Sequence, residues 1–366
     1  MARSAQLLVL GAPTEELTGD HILKKAAMNP ATSHTDPTVP LDVLAGAAAQ
    51  AARFAPSILN TQPWRWRVRP GRMELFAEPR RQLGVTDPDG RLLILSCGTA
   101  LHHAGVALAA QGWTARVVRT PSMSTTAPLA VLRGFEQVAI TPATRQREQA
   151  MRRRHTDRRP VGDQPIAPPI IRAVTASAPG AVRLQVLTAE QVLELAATVS
   201  RADAIQGREA LARDELGYWT SRPVTDGAGL PPEVLPDRPA QTTVPGRGFG
   251  HAGTLPIGAG HDRAATYALL YGDDDEPTGW LQAGEALSAI WLAATAMGVS
   301  VLPLSDVVAV PGTREALRRM LKPFDHPYLA LRLGIADPAT GTPPRTPRLP
   351  TAQLVEVLPS NVARRH

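Results

Sequence analysis

Two short stretches of the chain concentrate residues able to do chemistry. Residues 151–161, "MRRRHTDRRPV", set Arg152, Arg153, Arg154, Arg158 and Arg159 around His155, Thr156 and Asp157. Guanidinium forks make charge-assisted, often bidentate bonds to a phosphate, and a threonine hydroxyl adds a neutral one. A solvated basic face or a nucleic-acid patch has the same composition. Residues 52–66, "ARFAPSILNTQPWRW", place Pro56, Ser57 and Asn60 in one turn. A proline-stiffened bend, a small residue allowing close approach and an amide that donates and accepts at once suit the edge of a flat polar ring. The alternative is a helix stop followed by a hairpin, and Trp64 and Trp66 fit a hairpin core.

The elements that must position these residues follow from periodicity. "LDVLAGAAAQAARF" (41–54) carries apolar residues and alanines on a helical period, stopped by Pro56. "WRWRV" and "MELFA" alternate on either side of "RPGR", which predicts a hairpin. A helix is expected over Thr99–Gln111, closed by Gly112, with a strand from Trp113 to Arg119. "AATYALLYG" and "YLALRLG" read as buried strands, and Ala283–Met297 as a helix closed by Gly298. Helices and strands mix without regular βαβ alternation, so the fold class expected is α+β.

Comparison of the chain with itself shows a duplication. "HTD" stands at His34–Asp36 and at His155–Asp157, each followed by prolines, a helix and an Ala-Pro pair, Ala55–Pro56 and Ala178–Pro179. "G-x-A-L" at Gly98 recurs at Gly284, and each copy reaches a helix-ending glycine, Gly112 and Gly298. The copies have lost different parts. Ser33 and Pro37 stand where the second copy has Arg154 and Arg158, and "APGAVRLQVL" in the second copy lacks the Asn and Trp of "APSILNTQPW". The second copy also carries a surplus at about residues 218–260, rich in Pro and Gly, which reads as a lid, with a disordered loop as the alternative. The expected layout is an N-terminal extension (1–37), a first repeat (38–150) with the Pro56–Asn60 turn, and a second repeat (151–358) with the arginine segment.

These residues resemble a known family. "APSILNTQPW" is similar to the signature of the flavin-dependent nitroreductase superfamily, and Arg154–Arg158 to the segment by which that superfamily holds FMN. "AMGVSVLPLSDVV", "PGTREALRRML", "YLALRLGIAD" and "PRTPRLPTAQLV" resemble its C-terminal part. Fused chains of two such halves look like the Acg group of actinobacterial FMN-binding proteins. The resemblance implies a nitroreductase-like fold in which two tandem repeats form a pseudo-dimer within one chain, with one composite site. Arg154, His155, Thr156 and Arg158 would hold the phosphate and ribityl chain with Arg348 and Arg345. Pro56, Ser57 and Asn60 would close on the isoalloxazine, and Pro303, Leu304, Ser305 and Asp306 would approach flavin N5. It implies FMN as cofactor, NAD(P)H as co-substrate and a small organic acceptor. The rival is an FMN-sequestering protein whose lid covers the flavin.

Composition narrows the other classes. A charge of +6 comes with 36 arginines and three lysines spread along 366 residues, which fits biased codon usage better than a nucleic-acid surface. Cys97 is the only cysteine, so no intrachain disulfide or cysteine metal cluster can form. "GFGHAG" (248–253) fits G-x-G-x-x-G, but neither a strand before it nor a helix after it is expected. "GDDDEP" (272–277) reads as a charged turn, and the adjacent His102 and His103 make a poor metal pair. No apolar run approaches a membrane span, and a soluble, cytoplasmic protein is expected. With the two halves pairing within one chain it is expected as a monomer, with a homodimer as the alternative.

Overall fold

The computed structural model describes residues 39–121, 126–258 and 260–359. The extension (1–37), with the first HTD segment, Ser33 and Pro37, lies outside the described residues.

The first repeat begins with helix α1 (Leu41–Phe54), whose alanines Ala47, Ala48, Ala51 and Ala52 are buried, and which Ala55–Pro56 ends in extended backbone. The hairpin β1 (Trp64–Arg69) and β2 (Arg72–Ala77) follows, in the register Trp66 opposite Leu75. Trp64, Trp66 and Val68 alternate inward, fully buried, so both tryptophans are core. Helix α2 (Arg91–Ala110) starts well before the expected Thr99, because the Asp87 carboxylate accepts from the Leu92 and Leu93 amides and caps it. Strands β3 (Trp113–Arg119) and β4 (Ala130–Gln137) complete the repeat, and α3 (Pro142–Arg153), capped by Thr141, leads into the next.

The second repeat runs α4 (Pro168–Thr175), β5 (Arg183–Val186), α5 (Ala189–Arg208), α6 (Ala210–Thr220), β6 (Thr266–Gly272), α7 (Pro277–Ala296), β7 (Ser300–Leu304), α8 (Asp306–Ala309), α9 (Pro311–Arg318) and β8 (His326–Gly334). The last strand, β9 (Val355–Val357), pairs parallel with β1 of the first repeat. The two sheets have the orders β3-β4-β2-β1-β9 and β5-β6-β8-β7. Reversing the second gives β7-β8-β6-β5, the same order as the first repeat's own four strands, so the duplication is one of topology as well as sequence. The chain is an α+β protein built from two like units.

The units meet through α2 and α7, both of 20 residues. Gly98 and Gly284 face each other at the crossing: a Cβ on Gly98 would lie 2.1 Å from the Leu281 carbonyl oxygen, and one on Gly284 would lie 1.9 Å from that of Leu95. Each partner repeats the other's contact, the mark of an isologous two-fold interface. Gly112 and Gly298, at φ +80° and +76°, end the two helices in the left-handed conformation. By length and composition alone α2 could cross a bilayer, which the absence of a long apolar run in the sequence reading did not anticipate; in the fold it is a core helix, 83% buried over its most apolar window.

The repeats differ most between β5 and β6. A two-residue turn joins β1 to β2, whereas the equivalent connection in the second repeat spans residues 187–265 and opens with α5 and α6. The expected surplus at 218–260 caught only its part without long helices. Thr188 and Gln191 form a capping box at the start of α5, a helix signal inside a stretch otherwise punctuated by Pro and Gly. Glu215 of α6 accepts from the Val85 and Thr86 amides and the Thr86 hydroxyl, which docks the insertion on the first repeat. The "GFGHAG" stretch is irregular loop within it.

If the glycine crossing sets the spacing of the repeats, Gly98→Ala and Gly284→Ala each destabilise the chain by more than about 3 kcal/mol, since two backbones must separate. Gly105→Ala on the same helix meets nothing within 4 Å and is expected to raise stability by about 0.5–1 kcal/mol. Urea unfolding of the three variants measures the contrast.

Candidate functional site

Where α3 ends, the chain turns extended at Arg154 and the basic run separates by partner. Arg152 pairs with Glu148 on the exposed face of α3. Arg159 is buried against Asp157, with Nε and Nη2 donating to its two oxygens at 2.9 and 2.8 Å. Arg332 of β8 donates to the Asp157 and Arg159 carbonyls and pairs with buried Asp262 at 2.9 Å, so this ionic network holds residues 157–162 in place. Among the described residues no carboxylate forms an ion pair with Arg154 or Arg158, although the Asp157 charge acts on Arg158.

Arg154 is buried. Its Nη2 donates to the Phe54 carbonyl at 3.3 Å and its guanidinium lies 4.6 Å from the centre of the Trp291 ring, while Nε and Nη1 have no partner among the described residues. Burial first, and then the charges of Arg348 and Arg345, hold its pKa down to about 9. Arg348 is held down to about 10 by burial and Arg345. These groups open on a hollow with Arg53, Arg152, His155 and Thr156. Burial lowers the pKa of His155, which favours its neutral form. Among the described residues Arg154, Arg345 and Arg348 share this hollow without an ion-pair partner, so an anion placed there is electrostatically favoured.

A second cavity adjoins the first, and Thr156 lines both. Its walls are mainly apolar. The first repeat supplies Pro56, Ser57, Ser96 and Thr99, and the second supplies Trp291 and Pro303, Leu304, Ser305 and Asp306. The insertion supplies residues between Pro236 and Phe249, so the cavity has a cover. Asp306 is buried, with Oδ2 unpartnered among the described residues, and burial raises its pKa. Arg247 of the insertion lines the same cavity; burial lowers its pKa against the opposing charges of Asp306, Asp203 and Glu215.

Two of the expected contact residues lie outside the cationic hollow. Arg158 does not line the cationic hollow. It lines the apolar cavity, donates from Nη1 to the Val234 carbonyl at 3.2 Å and lies 5.8 Å from the Phe249 ring centre, so it holds the insertion. Asn60 lines neither cavity, and both ends of its amide are engaged within the protein: Oδ1 accepts from Arg348 Nη1 at 2.8 Å, and Nδ2 donates to the Gly229 and Pro347 carbonyls, both at 3.0 Å. The turn that presents it is strained, with Leu59, Asn60 and Gln62 at φ +42°, +57° and +51°, each costing about 1 kcal/mol or more. Ser57 helps to offset this, its hydroxyl accepting from the Gln62 amide at 2.9 Å. Arg345 is exposed at the rim of the cationic hollow.

Sequence reading missed Trp291, Thr99, Arg247 and Arg332. For Trp291 a signal existed: the glycine crossing aligns it with Gly105, so it is another position where one repeat kept a large side chain and the other did not. Among the described residues no group of His, Cys, Asp and Glu could hold a metal ion. His102 and His103 instead share Ser288 of α7, at 2.7 and 2.8 Å.

No family model matches the chain. Curated relatives do. A Mycobacterium tuberculosis protein named "Putative NAD(P)H nitroreductase Rv3131" is 37% identical over 310 residues, covering 82% of this chain and 88% of the relative. Another from the same organism, named "Putative NAD(P)H nitroreductase acg", is 32% identical over 336 residues, covering 88% and 98%. Among solved structures, the FMN- and NADPH-dependent nitroreductase NfnB from a Sphingopyxis strain aligns with a TM-score of 0.36 at 17% identity, covering 57% of this chain and 97% of that one. By its curated relatives, the chain belongs to the nitroreductase family and to the group within it that includes Acg.

Proposed function

We propose that the chain binds one FMN and works as an NAD(P)H-dependent oxidoreductase on a small organic acceptor. The observation that carries this reading is the buried guanidinium of Arg154, which among the described residues has no ion-pair partner and two N–H-bearing atoms unpartnered, beside Arg348 and a hollow joined to an apolar cavity. A phosphate monoester supplies the missing charge and acceptors, and a flat apolar ring system suits the adjoining space. Bound there, FMN would supply the hydride chemistry.

The chain's own residues bind, orient and exclude water. Arg154 and Arg348, with Arg345 at the rim and Thr156 at the junction, would hold the phosphate end. Pro56 and Ser57 from one repeat and Pro303–Asp306 from the other bound the ring's space. The Asp306 carboxyl lies against that space, its pKa raised by burial. The cover from 236–249 keeps water out.

That same cover favours a second reading, in which the chain sequesters FMN and the insertion occupies the place of an acceptor. Because each repeat already buries the other's interface, we propose a monomer. A single buried cysteine is compatible with the reducing cytoplasm proposed as its location.

Anaerobic mixing of holoprotein with NADH or NADPH separates the two readings: bleaching of the flavin absorbance at turnover rates is expected for the enzyme, and persistent yellow colour would overturn it in favour of storage.

Arg154→Met tests the cradle. Removing an unpaired buried cation should leave the stability of the FMN-free protein unchanged or raised. FMN affinity should fall by about 1–3 kcal/mol. Denaturant unfolding and flavin fluorescence titration give the two numbers, and undiminished FMN affinity would refute the assignment.

The pH dependence has a definite sign. A bound anion stabilises charged Arg154, so affinity falls as pH rises through its value of about 9. It also falls as pH drops through about 6, where a phosphate ester loses its second charge. Fluorescence titrations should therefore find the tightest binding between these limits.

A further inference from the structure

The amides of Asn60 and Gln62 do more than stabilise their own bend. Gln62 Nε2 donates to the Gly227 carbonyl at 2.8 Å, and Oε1 accepts from the Leu349 amide at 3.1 Å. Asn60 reaches the same two segments, through the Gly229 and Pro347 carbonyls, and also binds Arg348. The Gly229 amide returns a bond to the Asn60 carbonyl at 3.2 Å. Three distant pieces of chain are thus laced together: the 57–62 bend, the 227–229 strap of the insertion and the C-terminal 346–349 segment. The lacing is tight, since a Cβ on Gly227 would lie 2.8 Å from the Arg348 carbonyl oxygen.

The strap leads straight into the cover. Leu230, Val234 and Leu235 pack with Leu59 and Trp219 in a small core of their own, Arg158 holds the Val234 carbonyl, and the chain then forms the roof of the apolar cavity between Pro236 and Phe249. At the other end, Arg348 uses Nε on the Arg53 carbonyl and Nη1 on Asn60, and its Nη2 has no bond among the described residues. An anion taken by that free edge fixes the guanidinium, hence the Asn60 amide, hence the strap.

We propose that Asn60 and Gln62 are positioning residues that couple the cationic hollow to the cover, so that a phosphate group bound at Arg154 and Arg348 tightens the insertion over the apolar cavity. This rests on the reading of that hollow as a phosphate site. The coupling is reciprocal, so whatever closes the cover also tightens phosphate binding.

The test is hydrogen exchange of residues 227–249 in the FMN-free full-length chain, with and without inorganic phosphate, alongside calorimetry of phosphate binding. Saturating phosphate is expected to slow exchange there by about fivefold or more. Gln62→Met removes the ties to Gly227 and Leu349 without touching Arg348. It should bind phosphate within about threefold of the unmodified chain while losing most of the protection. Phosphate binding without protection in the unmodified chain overturns the coupling and leaves the phosphate site standing. If neither phosphate nor FMN binds, the site reading and the coupling fall together. Should Gln62→Met not fold, the measurement on the unmodified chain decides alone.

Discussion

The approach of α2 and α7 at Gly98 and Gly284 is the constraint from which the rest follows. With no side chain at either position, the carbonyls of Leu95 and Leu281 come close to the opposing glycine, and both helices are buried along much of their length. That contact fixes the two sheets on either side of one core. It brings the end of β7 and the bend after α1 to a shared space, although nearly 250 residues separate them in the chain. No local signal in either half could have placed Ser57 beside Asp306. The crossing does so, and the return of β9 to the edge of β1 ties the C-terminal arginines to the first repeat.

Electrostatics then separates residues that look alike in sequence. Five arginines flank His155–Asp157, yet Arg152 is balanced by Glu148 and Arg159 by Asp157. Among the described residues Arg154 has only a carbonyl and the face of Trp291. A buried charge without a counter-ion costs several kcal/mol. Folding tolerates that cost here because the surrounding structure is over-determined by the Arg332–Asp262 network and the helix crossing. The cavity is thus poised for an anion rather than merely basic.

Much of the fold was legible because it rests on periodicity and repetition. The hairpin at Trp64–Ala77, the strand at Trp113–Arg119 and the helix-ending glycines were readable from local pattern, and the matched anchors at Gly98 and Gly284 announced the duplication. Helix starts were not. Asp87 caps α2 from outside it, and the length of the insertion hid the capping box of α5. At the site, residue types suggested an anion and a ring, but not which side chains face them. Asn60 has the chemistry to read a ring edge, and only the fold shows that its three hydrogen-bonding partners lie in the protein. Arg158 likewise matches a phosphate ligand in type, while its position relative to Val234 and Phe249 makes it a support for the cover.

Asymmetry between the repeats is what turns a duplicated fold into a single site. A symmetric pair would carry two equivalent bends and two equivalent hollows. Here the second repeat has Gly180 and Arg183 where the first has Ser57 and Asn60, and the first has Gly105 where the second has Trp291. Losing a bend relieves three left-handed residues of strain, and losing a large ring opens a cavity; neither change harms the crossing at Gly98 and Gly284. Once one site suffices, the strained turn and the unpaired cation need be kept only once, each in the half where the other still meets it. The insertion fits this logic, since a cover over one cavity can grow from a β5–β6 connection without disturbing the two-fold core.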